Sequence, residues 1–204
     1  MNVKQYRNRV WFSVLVWAVL APASGACAGL LSSPFDALLG RHKEVARVDN
    51  PVYAEECGAC HMAYPPGLLP GRSWARLMQA ASLEDHFGDD ATLDEATRTA
   101  LAAYLDEASA DHSWRKRAIK VRRSIPAGET PLRISEVPYI KRAHHELDAA
   151  AVKANDNIRS FAQCNRCHRR TERGSFDDDT VKIPAPSAPS APSAPSAPSA
   201  ATAP

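Results

Sequence analysis

Between residues 35 and 183, apolar and polar positions recur with helical rather than strand periods. In "RSWARLMQAAS", Trp74, Leu77, Met78 and Ala81 fall at i, i+3, i+4 and i+7, which predicts an amphipathic helix. "TLDEATRTALAAYLDEAS" has Thr92 followed three residues later by Glu95, the pattern of a capping box. Its inner face would be Ala100, Leu101, Tyr104, Leu105 and Ala108. "PYIKRAHHELDAAAVKAND" predicts a helix starting after Pro138, and "NPVYAEECGACHMA" and "NIRSFAQCNRCHRR" also suit helices. No clear two-residue period is present, and "PLRISEV" is the best short extended segment. "YPPGLLPG" reads as a rigid loop, because its three prolines exclude regular structure. The expected class is mainly α with much loop.

Both ends read as lying outside the fold. The start has a basic stretch (Lys4, Arg7, Arg9), then an apolar run from Val10 to about Ala21, then small residues. That is the pattern of a signal peptide over residues 1–28, with cleavage points at Ala21-Pro22-Ala23 and Ala26-Cys27-Ala28. The 26 uncharged residues from Val10 to Phe35 are also long enough for an uncleaved anchor, which would tie the chain to the membrane. A lipid-modified Cys27 is the third option, and Ser24 stands where that signal wants an apolar residue. Each option sends the rest of the chain to the periplasmic side. The tail, residues 184–204, repeats Ala, Pro and Ser and holds nothing larger to bury. It reads as a disordered or extended tether.

Removing the leader leaves 22 basic against 23 acidic residues, so net charge makes no case for a nucleic-acid partner. "WRKRAIKVRR" is the exception, a basic run that is either a solvated helix face or a docking patch for an acidic partner or haem propionates. Large apolar residues are sparse, and a core this thin would benefit from a bulky bound cofactor.

"CGACH" at Cys57–His61 and "CNRCH" at Cys164–His168 supply the chemistry. Thiols at i and i+3 share one face of a helical turn. There they can each take a vinyl group along one side of a haem, while the next histidine ligates iron. C-x-x-C-H thus reads as c-type haem attachment, here twice: Cys57, Cys60 and His61, and Cys164, Cys167 and His168. A four-cysteine zinc site would have to bridge the 103 residues between Cys60 and Cys164 and would leave both histidines unexplained. Disulfides leave them unexplained too, and a thioredoxin-like motif wants alternating strands and helices.

The second axial ligands decide the function. His86, in the turn-like "EDHFGDDA" 25 residues after His61, is the candidate for the first haem; Met78 and His42 are its competitors. For the second haem the candidates are His144 and His145, with His112 as a spare. Adjacent helical residues point about 100° apart, so only one can ligate. His144 lies nearer the face marked by Tyr139, Ile140 and Ala143.

"EECGACHMAYPPGLLPGRSWARLM" followed by "DHFGDDATLD" resembles the bacterial dihaem cytochrome c family, often called DHC. The likeness covers about residues 50–170 and continues through "PYIKRAHHELD" and "CNRCH". The resemblance implies two low-spin haems, each with two histidine ligands, and by motif match it agrees with His86 and His144. It also implies electron exchange with a high-spin monohaem cytochrome or a membrane cytochrome b.

The expectation is therefore a periplasmic electron carrier rather than an enzyme, with two covalent haem c groups. Two small haem-centred lobes, residues 34–110 and 111–183, would hold them. A dihaem peroxidase or a gas sensor is the alternative, and either needs an iron with an open face.

Overall fold

The computed structural model describes residues 44–187. The leader, His42 and all but the start of the Ala/Pro/Ser tail lie outside the described residues. Among the described residues the structure is helical, with isolated bridges in place of strands. Eight α-helices follow in chain order: α1 Pro51–Glu56, α2 Gly71–Leu77, α3 Ala80–Glu84, α4 Glu95–Glu107, α5 Lys116–Ser124, α6 Pro138–Ala143, α7 Ala149–Ala154 and α8 Cys164–Cys167. None is long and apolar enough to cross a membrane.

The longest helix, α4, turns Leu101 and Leu105 inward against α2. It starts later than the capping-box pattern suggests. Asp94 is the cap, its carboxylate accepting from the Ala96 and Thr97 amides at 3.0 Å, while Thr92 is occupied with Asp90. Ala100 is exposed, because the apolar stripe is only wide enough for the two leucines.

The single helix expected over "RSWARLMQAAS" is two. Gln79 is extended (φ −68°, ψ 140°) and separates α2 from α3. Arg98 donates to the Met78 carbonyl at 2.7 Å, satisfying an acceptor that the break releases. Trp74, Leu77 and Met78 are buried as the period predicts, but beyond the break Leu83 replaces Ala81 in the core. The stretch after Pro138 likewise divides into α6 and α7, with Asp148 capping the second. "PLRISEV" is not extended: Ile134–Glu136 form a 3-10 turn.

The proline loop runs through the interior. Pro65 to Pro70 are all buried. Proline has no N–H to satisfy, so burying this backbone strands fewer donors than an ordinary loop would. Its carbonyls are used: Pro66 accepts from the Trp74 indole at 2.8 Å and Leu69 from the Ala110 amide at 2.9 Å. One hydrophobic cluster, including Val45, Leu68, Leu105, Val121, Val137 and Phe176, draws on both halves of the sequence. The first residues of the tail are tied down, with Asn155 donating to the Pro184 carbonyl and the Ser187 amide to Asp156.

Candidate functional site

The first C-x-x-C-H segment follows directly from α1, whose cap is Asn50. Tyr53, fully buried on α1, donates its hydroxyl to the Tyr64 carbonyl at 2.8 Å and closes the loop that contains Cys57, Cys60 and His61. Gly58 is required inside that loop, since a side chain there would collide with the Ala54 carbonyl. The His61 ring stacks on Tyr64, centres 4.7 Å apart. Its Nδ1 lies 2.7 Å from the Met62 carbonyl, which can only accept. The proton therefore sits on Nδ1, and Nε2 keeps a lone pair.

His86 lies across from it. The two ring centres are 6.4 Å apart with planes at 26°. His86 is held by a two-residue turn: its amide and carbonyl pair with Asp89, and Phe87 (φ 61°) and Gly88 (φ 105°) occupy the corner. Two positive-φ residues at a corner match the geometry of tight hairpin turns. The Asp85 carboxylate accepts from the Gly88 amide at 3.0 Å. Phe87 meets the His86 ring edge-on at 4.8 Å, and the Arg133 guanidinium covers Phe87 at 3.9 Å.

The second site has the same parts in the opposite order. His144 caps the C-terminus of α6, and both its amide and its Nδ1 approach the Ile140 carbonyl, at 3.2 and 2.8 Å. Its Nε2 is again left with a lone pair. His168 follows α8, its amide bonded to the Cys164 carbonyl at 2.8 Å. The His144 and His168 ring centres are 6.0 Å apart. His145 turns away: its side chain is 72% exposed and its Nδ1 approaches the Arg142 carbonyl. His112 is exposed, and Met78 is packed in the core.

Behind His168 stands Phe176, ring centres 5.4 Å apart. The Phe176 backbone is gripped from both sides, its amide donating to Glu44 at 2.7 Å and its carbonyl accepting from Arg117 at 3.1 Å. Glu44 and Arg117 form a two-pronged ion pair (3.1 and 3.2 Å) that is mostly buried, and Arg117 also donates to the Tyr139 hydroxyl. A cavity of about 580 Å³ opens here, lined by Arg117, Ile140, His144, Cys164, Cys167 and His168 among others. That volume lies in the range of small-molecule and cofactor pockets.

These arrangements fit two haems. Imidazole nitrogens bind metals at about 2 Å, so rings facing each other across one ion have centres about 6 Å apart. The Nδ1 atoms of His86 and His168 are buried without a hydrogen-bond partner, unlike those of His61 and His144. Burial lowers the His86 and His168 pKa values, helped by His61 and His144 respectively, which favours the neutral form that can ligate. Burial pushes the Cys57 and Cys164 thiols up to about 11. Disulfide oxidoreductases depress their reactive thiols, so the redox-thiol rival is disfavoured. Among the described residues no three His, Cys, Asp or Glu side chains converge, and the zinc rival lacks a ligand cluster.

The model of the family described as dihaem cytochrome c matches residues 53–176. The chain belongs to the dihaem cytochrome c family. It carries two covalently bound haem c groups, and Cys57 and Cys60 fit one of the attachment motifs. Membership makes it an electron-transfer haem protein whose partners are other redox proteins. It is similar to a solved dihaem cytochrome c from Rhodobacter sphaeroides, at 45% identity over 65% of this chain and 100% of that one, with a TM-score of 0.56. A dihaem cytochrome c from Shewanella baltica is 36% identical over 66% of this chain and 92% of that one, with a TM-score of 0.53. No curated protein matches the chain.

Tyr64, Phe87, Arg133, Phe176 and the Glu44–Arg117 pair were not singled out from the sequence. Tyr64 and Phe87 had one signal, an aromatic ring close in sequence to a candidate ligand. Arg117 lies in the basic run and Phe176 eight residues after His168, while Glu44 and Arg133 reach the sites from far along the chain.

Proposed function

We propose that the protein is a periplasmic electron carrier whose two haems each have two histidine ligands. Cys57 and Cys60 attach the first, between His61 and His86. Cys164 and Cys167 attach the second, between His168 and His144. The observation that carries this reading is the pair of facing imidazoles in each half, at 6.4 and 6.0 Å. When bound, the haems supply iron that gains and loses one electron. The carbonyls of Met62 and Ile140 orient the His61 and His144 rings and hold their protons on Nδ1. Phe87 and Phe176 restrain the rings of the other two. No other group is needed, since electron transfer makes and breaks no bond in the protein. The leader would export the chain and residues 184–204 would act as a tether. Residues 34–110 and 111–183 would each serve one haem. A high-spin monohaem cytochrome and a membrane cytochrome b are the partners this reading takes.

A redox titration tests it. Two one-electron steps are expected, both below the potential of a His/Met cytochrome, because thioether ligation raises the potential. His86→Met should raise one step and leave the other in place. Two steps unmoved by that substitution would contradict the assignment.

A further inference from the structure

Tyr64 touches both attachment segments. Its ring stacks on His61 at 27° between planes, and its own carbonyl is fixed by the Tyr53 hydroxyl. Its hydroxyl then crosses to a segment 98 residues away and donates to the Ala162 carbonyl at 2.7 Å. That same carbonyl lies 3.7 Å from the Cys164 sulfur, the atom that would carry the thioether link of the second haem. Ala162 is itself held, its amide bonded to the Ser160 hydroxyl. One side chain thus joins a candidate ligand of the first haem to an attachment point of the second, through contacts and a hydrogen bond without a gap.

We propose that Tyr64 is the strut that fixes the two attachment segments relative to each other and so sets the rate of electron exchange between the haems. This rests on the ligation reading above. The exchange moves one electron: the iron at one site goes from ferrous to ferric, and the iron at the other from ferric to ferrous. Tyr64 keeps its proton throughout, because burial raises the pKa of the phenol. Its role is to position the segments. Tunnelling falls steeply with separation, so a residue that fixes the gap governs the rate. Arg133 covers Phe87 on the His86 side of the same site.

Tyr64→Phe in the full haem-loaded protein keeps the ring on His61 and removes the bond to Ala162. Rapid reduction followed by optical observation reads the exchange rate, and dipolar EPR between the two ferric centres reads their separation. The rate should fall, because losing the bond to Ala162 lets the two segments move apart. The distance distribution should broaden, and both haems should stay low-spin. Tyr104→Phe, which loses a bond to Asp49 away from both histidine pairs, should leave the rate unchanged. An unchanged rate in Tyr64→Phe overturns the proposal, as does an equal fall in Tyr104→Phe. Failure of the ligation reading shows elsewhere, as high-spin bands in the unsubstituted protein.

Discussion

The imidazole planes of His144 and His168 cross at 77°, with ring centres 6.0 Å apart. In the first site the planes of His61 and His86 are only 26° apart. Carbonyls set part of this difference. His144 is locked to Ile140 at the end of α6, and His61 to its neighbour Met62.

Ligand planes that lie nearly parallel split the two iron d-orbitals that mix with them; crossed planes leave those orbitals nearly equal. The oxidised protein should therefore give two low-spin EPR signals. A rhombic one comes from the first haem and a strongly anisotropic one, with a large highest g value, from the second. His144→Ala should abolish only the anisotropic signal. Two signals of one type would contradict the geometry.

Glu44→Gln should destabilise the fold. It leaves Arg117 without its anion and weakens the grip on Phe176. Breaking a buried pair costs about 3–5 kcal/mol, and the residual exposure of these side chains (14% and 17%) brings the expected loss to about 2 kcal/mol. In a chain of this size that lowers the melting temperature by about 4–8 °C. Thermal unfolding followed by circular dichroism checks it, and a loss within error would show that the pair contributes little.

Gly88→Ala should act on one haem alone. Gly88 has φ 105°, a conformation that side chains rarely adopt, and the substitution costs about 1–2 kcal/mol. That strain falls on the turn holding His86. Carbon monoxide binding should then become detectable at the ferrous first haem, where the unsubstituted protein shows none. The second haem should be unaffected. Equal changes at both haems, or none, would mean that the turn does not restrain His86.

The attachment motifs were legible because their chemistry is local: two thiols and an imidazole within five residues. The helical class was legible from Leu101 and Leu105 on α4 and from Trp74, Leu77 and Met78. The break at Gln79 was not, because apolar spacing says nothing about a backbone turn that Arg98 supports from 20 residues away. Capping moved from Thr92 to Asp94 because the Thr92 hydroxyl is bonded to Asp90 and the Asp94 carboxylate takes the Ala96 and Thr97 amides. The proline loop was legible as a rigid loop, but its place in the interior and the 3-10 turn at Pro66–Leu68 were not. The Glu44–Arg117 pair and the Tyr64–Ala162 bond join residues 73 and 98 apart, and no period or spacing links them.

The central claim is that neither iron has an open face. The most direct measurement is the optical spectrum of the unsubstituted protein, oxidised and reduced, with and without carbon monoxide at neutral pH. The account predicts low-spin bands in both oxidation states and no appreciable carbon monoxide binding. His144→Ala should create binding at one haem, and His145→Ala, whose ring faces solvent, should not. Binding of carbon monoxide to one haem of the unsubstituted protein at full stoichiometry would contradict the account and favour an enzyme or a sensor.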